Sequence, residues 1–212
     1  MTPRRWIAID DKAAAARLRV SRHAAALFWE RGVSGTSGDD IAAAANLSTR
    51  TIWRYFRSKE ACVEPLLAKS THRFIAVLDR WPAELSLGQH MRADAIAHPF
   101  SEQDLTDETA AMRIAAMSAT EPALRTAYLM VHDEMERGFI PVIAKRLGLP
   151  AQDLTVRLCA AATTAALRVV DEDVSTAVVV HGRTFESQDI LPLIDRAVLD
   201  ATNGRIGAPV GT

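Results

Sequence analysis

The residues with the most specific chemistry lie close together, at positions 49–54, at helical spacing. Arg50 carries a planar guanidinium, which can donate two parallel hydrogen bonds to O6 and N7 of a guanine. Thr49 and Trp53 add a hydroxyl group and an apolar ring that can contact thymine methyl groups. Arg54 lies on the same outward side of this segment. These residue types on one helical face predict that the segment reads base edges in a DNA duplex.

Two short helices separated by a tight turn are needed to hold this face outward. The residues that would cap or end these helices are Ser37, Asp40, Asn46 and Ser48. The first serine and the aspartate three residues later form a capping pattern, and the asparagine tolerates the left-handed conformation that ends a helix. Ile52 and Phe56, four residues apart, give the second helix its inward side. The segment therefore predicts a helix-turn-helix that faces a duplex.

A longer pattern of residues surrounds these two helices at fixed spacing. Its members are Val20, Ala24, Leu27, Phe28, Glu30, Gly32, Thr36, Ile41, Ala42, Ala45, Leu47, Ser48, Thr51, Trp53, Tyr55, Phe56, Ser58, Lys59 and Glu60. With them, residues 20–59 resemble the DNA-binding domain of the tetracycline-repressor-like (TetR) family of bacterial regulators. The resemblance covers about a fifth of the chain. It implies an all-α protein, with an N-terminal three-helix helix-turn-helix domain and a C-terminal helical domain for effector binding and dimerisation.

The resemblance also implies which side chains contact phosphate groups. Thr51, Tyr55 and Lys59 match family positions that hold the DNA backbone, and Ser37 with the first turn of its helix is expected to do the same. The predicted DNA-binding residues are therefore Ser37, Thr49, Arg50, Thr51, Trp53, Arg54, Tyr55 and Lys59.

Three positions depart from the family pattern. Asn46 stands where the family usually has glycine, although both residues accept the same backbone conformation. Trp53 replaces the usual tyrosine or phenylalanine. Pro65 falls within a helix that is expected to begin after Ser58, so this proline either kinks the helix or is merely tolerated near its start.

The charge distribution supports nucleic-acid binding more than the net charge of −1 does. Residues 1–60 contain eleven lysines and arginines but six acidic residues, whereas residues 61–212 contain fourteen against twenty. A basic end on an acidic body is typical of a modular DNA-binding protein. We therefore expect a DNA-binding domain at residues 1–60 and a ligand-binding and dimerisation domain at residues 61–205.

Composition narrows the class of protein further. An apolar content of 49% supports a buried core, and abundant alanine with only 10 glycines favours helix over sheet. Cys62 and Cys159 are too few for a disulfide framework, which favours a reducing cytoplasm. No apolar run approaches the ~20 residues of a membrane span, and no signal peptide is expected.

The remaining chain is predicted to be a series of helices with short breaks. Their expected bounds are 11–31, 59–81, 85–98, 102–119, 122–147, 153–180 and 187–202. Residues 1–9 are expected to be poorly ordered, as is the tail from Gly204 onward. The helix at 122–147 also distantly resembles the effector domain of regulators that respond to fatty acyl derivatives.

Two features of the body suggest how it functions. The small-residue run 159–166, together with the last helix, could form half of an intermolecular four-helix bundle or could pack within one subunit; the implied family function favours the homodimer. A small, largely apolar effector is expected between the helices. The residues predicted to line its pocket are Phe74, Leu78, Met117, Tyr128 and Met135.

The function that these observations favour is a transcriptional regulator, most simply a repressor that an apolar effector releases from double-stranded operator DNA. Two alternatives stay open: an effector-independent DNA-organising protein, or an enzyme body joined to a DNA-binding module. No nucleophile–base motif, metal-ligand spacing or phosphate loop is present in the sequence. We therefore expect no catalytic residue, metal site or cofactor; His132 and Glu136, four residues apart, are assigned to a solvated helix flank.

Overall fold

The computed structural model describes residues 11–185 and 187–210, and within these ranges the chain is helical without strands. The helices are α1 (Asp11–Arg31), α2 (Gly38–Ala44), α3 (Thr49–Tyr55), a 3₁₀ turn (Glu60–Val63), α4 (Glu64–Asp79), α5 (Leu87–Ala97), α6 (Glu102–Ser118), α7 (Pro122–Leu147), α8 (Leu154–Val179) and α9 (Ser187–Ala201). The predicted all-α class is thereby confirmed. The expected disorder of residues 1–9 falls outside the described residues.

The local signals that predicted the first helices are the ones that form them. Ser37 caps α2, and a reciprocal capping box with Asp40 satisfies two backbone N–H groups. Asn46 adopts a left-handed φ of 54° and turns the chain toward α3. Ser48 caps α3 by accepting a hydrogen bond from the Thr51 N–H. These local features fix where α2 begins, where the chain turns and where α3 begins.

The structure resolves the two interpretations of Pro65 in favour of tolerance. The segment after Ser58 begins with the 3₁₀ turn, and α4 begins only at Glu64. Pro65 is therefore the second residue of α4, where a backbone N–H has no intrahelical partner to lose. The expected single α-helix over 59–81 is wrong, because a 3₁₀ turn precedes α4.

Two hydrophobic clusters hold the helices together. The N-terminal cluster joins α1, α2 and α3 to α4, α6 and the first half of α7; its members include Phe28, Ile41, Ile52, Leu66, Ile114, Leu124 and Tyr128. The C-terminal cluster joins α4 and α5 to the second half of α7, α8 and α9; its members include Leu78, Trp81, Met135, Phe139, Cys159 and Val198. Because the first cluster crosses from the helix-turn-helix into the body, the two parts share a core.

The C-terminal segment corrects another expectation. Ile206 is buried in the C-terminal cluster. The Leu87 N–H donates to the Gly207 carbonyl at 2.8 Å, and the Val210 N–H donates to the Ala83 carbonyl at 2.8 Å. Residues 204–210 are therefore packed against the body, because an apolar anchor and backbone hydrogen bonds outweigh the glycine content that suggested a loose tail.

Candidate nucleic-acid interface

The outward face of α3 carries the cations and the aromatic ring that the sequence placed there. Ile52 is fully buried and Phe56 is nearly so, which fixes the rotation of the helix. Arg50 and Arg54 are exposed as a consequence, and Trp53 retains 47% of its accessible surface. The Arg54 guanidinium lies 5.0 Å from the Tyr55 ring centre, in a cation–π contact. Arg50 and Trp53 thus project from α3 with room to enter a groove.

Gly38 allows α2 to lie close to Trp53 of α3, a contact that the sequence did not predict. It is the first residue of α2, and a β-carbon built on it would overlap the six-membered ring of Trp53. The indole therefore packs over a glycine backbone, with its remaining surface facing outward. The only sequence signal for this contact is a glycine directly after a capping serine.

Several hydroxyl groups predicted to contact DNA are already engaged within the protein. The Ser37 hydroxyl donates to Asp40 Oδ2 at 2.6 Å, and the Ser37 N–H donates to the same oxygen at 2.8 Å. These two hydrogen bonds lower the pKa of the Asp40 carboxyl. The Thr49 hydroxyl donates to Asp39 Oδ1 at 2.5 Å. The hydroxyls of Ser48 and Thr51 lie 2.8 Å apart. Ser37 and Thr49 therefore orient the two helices, and a phosphate would have to compete with these bonds.

Lys59 differs most from its predicted role. Its Nζ donates to the Val33 carbonyl at 2.6 Å and to the Thr36 carbonyl at 2.8 Å, which fastens the α1–α2 loop to the segment after α3. An ammonium group has three N–H donors, so one remains for a phosphate. Lys59 therefore has mainly a structural role, and it can donate at most one hydrogen bond to a phosphate.

The five residues predicted to line one effector pocket do not meet in one cavity. Phe74, Leu78 and Met135 belong to the C-terminal cluster, whereas Met117 and Tyr128 belong to the N-terminal cluster. Phe74 and Leu78 face a cavity of about 10 Å³. The long helix α7 presents Tyr128 and Met135 to different layers of the body, and the lining of an effector pocket stays a prediction.

A larger cleft lies at the turn between α6 and α7, against α8. Its volume is about 560 Å³, and its lining combines Ser118, Thr120, Arg125, Glu172 and Thr176 with short apolar side chains. The Arg125 guanidinium pairs with Glu172 at 2.6 Å. No motif in the sequence indicated this cleft, since one wall comes from the α6–α7 turn and the other from α8, about 50 residues further along the chain.

A polar group is buried beside this cleft. The Tyr128 hydroxyl donates to Asp171 Oδ2 at 2.6 Å, and burial raises the pKa of the Asp171 carboxyl. His132 packs on the Tyr128 ring at 4.3 Å between ring centres, and burial lowers the pKa of its imidazole. His132 is therefore half-buried against Tyr128, whereas Asp133 and Glu134 on the predicted solvated flank are exposed.

Within residues 11–185 and 187–210, no group of three or more His, Cys, Asp or Glu side chains is arranged to hold a metal ion. No helix in the same ranges has the length and hydropathy to cross a membrane. The fold and the exposed α3 face define a helix-turn-helix protein with a second, helical domain.

Comparison with known proteins identifies the family. The model of bacterial regulatory proteins of the tetR family matches residues 22–66, and the MftR C-terminal domain model matches residues 85–182. The HTH-type transcriptional regulator TcmR from Streptomyces glaucescens is 30% identical over 141 residues, 65% of this chain and 62% of TcmR. The regulator MftR from Mycobacterium tuberculosis is 34% identical over 129 residues, 59% of this chain and 61% of MftR. Both alignments thus span less than two thirds of the relative's length.

Solved structures share the fold at low sequence identity. GusR from Salmonella enterica superposes with a TM-score of 0.52 at 19% identity, covering 89% of this chain and 96% of GusR. FadR from Bacillus subtilis, solved with stearoyl-CoA, has a TM-score of 0.50 at 14% identity, covering 88% and 98%. The chain belongs to the TetR family of bacterial regulatory proteins.

Proposed function

We propose that this protein is a dimeric transcriptional regulator that binds operator DNA through α3 and is released by a small effector. The observation that carries the proposal is the α3 face, where Arg50 and Trp53 stand exposed on a helix whose rotation is fixed by a buried isoleucine. A helix presented in this way fits the major groove. The regulators TcmR and MftR support the same reading.

Two arginines on α3 provide a matched test of base readout. Arg50 has no hydrogen bond or ion pair to another described residue, whereas the Arg54 side chain lies along Tyr55. We expect Arg50→Ala to cost roughly 1–3 kcal/mol per half-site and to relax the preference at one base pair. Arg54→Ala should weaken specific and non-specific DNA alike and reduce the salt slope by about one.

The measurement is binding of a site recovered by genomic footprinting, for both variants, across a salt series and against single-base variants of the site. Each variant removes one cation from the same helix, so bulk charge predicts equal effects. If Arg50→Ala loses affinity uniformly with unchanged base preference, Arg50 contacts phosphate, and α3 does not read bases through it.

An apolar stripe on α8 supports the proposal of a dimer. Leu154, Leu158, Ala165 and Val169 lie at helical spacing on its outer side, and the two leucines are 65% and 59% exposed. Ala160 and Thr163, from the small-residue run, are instead buried within the chain. We propose that this stripe, with Leu193 of α9, packs on a second copy. The pair would then present two recognition helices to half-sites ~34–36 Å apart.

The effector response rests on the body. The 560 Å³ cleft borders the α6–α7 turn, and the same two helices contribute Ile114 and Leu124 to the N-terminal cluster. The FadR structure holds stearoyl-CoA within a similar fold, which supports an apolar or acyl-bearing effector here. We assign residues 1–60 to DNA binding and residues 61–205 to effector binding and dimerisation, with the packed segment to residue 210 as part of the second unit.

The coupling between the two ligands provides the test of ligand response. If the effector weakens operator binding, operator DNA must weaken effector binding by the same factor. Such a coupling free energy is ~1–3 kcal/mol. Operator affinity measured across a library of acyl and aromatic compounds tests this. An operator affinity that no compound alters would favour an effector-independent DNA-organising role.

A further inference from the structure

Asp39 and Asp40 are neighbouring acids in the first turn of α2, but their side chains bond to different partners. Asp40 completes the capping box with Ser37, and its Oδ1 lies 3.8 Å from an Arg31 nitrogen. Asp39 instead reaches across the helix-turn-helix, where its Oδ1 accepts a hydrogen bond of 2.5 Å from the Thr49 hydroxyl. A carboxylate in the first turn is ordinarily explained by the helix dipole. That explanation does not account for a bond from Asp39 to the first residue of α3.

This bond determines which hydrogen-bonding groups Thr49 can offer to another molecule. A hydroxyl has one hydrogen to donate and two lone pairs that accept. Because the Thr49 hydrogen is donated to Asp39, only its lone pairs remain for a further partner. A carboxylate accepts but does not donate, and Asp39 is exposed and forms no ion pair with a lysine or arginine of the described ranges. The two side chains together therefore present acceptors and no donor.

These acceptors lie on the part of α3 that a recognition helix turns toward the bases. Thr49 is the first residue of α3, and the N-terminal residues of a recognition helix contact base edges. Trp53, four residues later, lies on the same side of the helix and packs over Gly38. Because Gly38 directly precedes Asp39, the start of α2 runs beside this side of α3. Arg50 is exposed next to Thr49 and supplies donors, so adjacent positions of α3 offer hydrogen-bonding groups of opposite kind.

We infer that Asp39 is a specificity-determining residue, which makes Thr49 select a base with an amino group in the major groove. Adenine N6 and cytosine N4 carry donors there, whereas guanine O6 and thymine O4 are acceptors. An amino group can donate to the Thr49 lone pairs, but a keto oxygen would face a second acceptor. A phosphate is disfavoured for the same reason and is also repelled by the Asp39 charge. This inference rests on the proposed function, in which α3 reads bases, and it names the base chemistry read beside Arg50.

Asp39→Asn and Asp39→Ala form a matched pair for the test. Both remove the same charge from the first turn of α2, and both leave the capping box of Ser37 and Asp40 intact. Asparagine retains a carbonyl oxygen that can accept from the Thr49 hydroxyl, whereas alanine leaves that hydroxyl free to donate. Any general gain in DNA affinity from the lost charge is common to both variants. A difference between them in base preference therefore reports the hydrogen bond.

The measurement is the affinity of the full-length protein for a site recovered by genomic footprinting and for variants of that site. Comparison of Thr49→Val with the wild type across single-base variants identifies the base pair that Thr49 contacts. In that pair the amino group is then deleted, with purine for adenine or 2-pyrimidinone for cytosine. The keto oxygen is deleted separately, with 2-pyrimidinone for thymine or 2-aminopurine for guanine.

Deleting the amino group should weaken binding of the wild type and of Asp39→Asn by about fivefold or more, whereas deleting the keto oxygen should not. Thr49→Val should respond to neither deletion, because it lacks the hydroxyl. Asp39→Ala should lose less affinity than Asp39→Asn when the amino group is deleted, because its free hydroxyl can turn and donate to the keto oxygen.

Equal responses of the wild type, Asp39→Asn and Asp39→Ala would overturn the inference, since Asp39 would then act only as a charge near the helix N-terminus. So would a wild type that loses affinity when the keto oxygen, rather than the amino group, is deleted. A wild type without any base preference refutes the proposed function together with this inference. A wild type that discriminates bases through Arg50, but has no base pair sensitive to Thr49→Val, refutes the inference alone.

Discussion

Asp107 of α6 forms ion pairs that link the body to the helix-turn-helix domain. Its carboxylate accepts two hydrogen bonds of 2.8 Å from Arg22 of α1 and one of 2.6 Å from Lys69 of α4. The Asp107 side chain is only 4% exposed. We predict that Asp107→Asn, which keeps the shape but removes the charge, destabilises the protein and loosens α1 from α6.

The expected loss lies between two limits. Breaking a fully buried ion pair costs about 3–5 kcal/mol, and an exposed pair contributes less than about 1 kcal/mol. Asp107 is buried, but the side chains of Arg22 and Lys69 keep 36% and 32% of their surface. We therefore expect a loss of about 2 kcal/mol, or roughly 4–8 °C in Tm for a chain of this size.

The pH dependence has a definite sign. Burial of Asp107 raises the pKa of its carboxyl, but the hydrogen bonds from Arg22 and Lys69 outweigh burial, so the pKa lies below its ordinary value. A carboxyl with a lowered folded pKa contributes stability above its unfolded pKa of about 3.9, and this is lost as pH falls through the folded pKa. The difference between wild type and Asp107→Asn should be full near neutral pH and shrink below about pH 4.

Urea unfolding from pH 3 to pH 7 measures this difference. The control is Asp133→Asn, which breaks a pair with Arg137 whose two side chains are more than half exposed, and should change the free energy of unfolding by less than about 0.5 kcal/mol. If Asp107→Asn is no more destabilising than this control, or its effect does not depend on pH, the network contributes no net stability and the reasoning is refuted.

Three further predictions follow from single contacts. Gly38→Ala should leave the free energy of unfolding nearly unchanged, because the exposed Trp53 ring can move aside, but it should weaken operator binding. In a protein that already carries Trp53→Ala, the added Gly38→Ala change should have no further effect on operator binding. Leu158→Glu should give monomers by light scattering, whereas Leu105→Glu, at an equally exposed leucine of α6, should stay dimeric. If both variants stay dimeric, α8 is not part of the dimer interface. Burial raises the pKa of the Cys62 thiol to about 12, so a thiol reagent at pH 8 should modify Cys62 only after unfolding, and rapid native labelling would contradict the burial.

The helix-turn-helix was predictable because local chemistry determines it. Ser37 and Asp40 cap α2 through atoms three residues apart, and Asn46 turns the chain through its own φ angle. Signals of this range can be read from sequence without knowing the tertiary fold. Lys59 shows the limit even here, since its bonds to Val33 and Thr36 bridge 26 and 23 residues.

The pocket was not predictable, because helix packing decides it. Tyr128 and Met135 lie seven residues apart on one face of α7, and both are buried. At 1.5 Å per residue, however, they are ~10 Å apart along the helix axis, and they enter different clusters. Periodicity specifies which face of a helix is inward, but not what stands opposite each turn.

The arrangement of the two clusters bears on how an effector signal would reach the DNA. The small cavity faced by Phe74 and Leu78 lies in the C-terminal cluster, whereas α1 contacts α4, α6 and the 3₁₀ turn in the N-terminal cluster. Helix α4 spans both, from Leu66 at one end to Leu78 at the other. An outward shift at Leu78 would therefore be carried along α4 to Lys69, whose ammonium meets Arg22 on the Asp107 carboxylate. Because packed helices move as rigid bodies rather than deform, α4 connects the C-terminal cluster to the helix that braces α3.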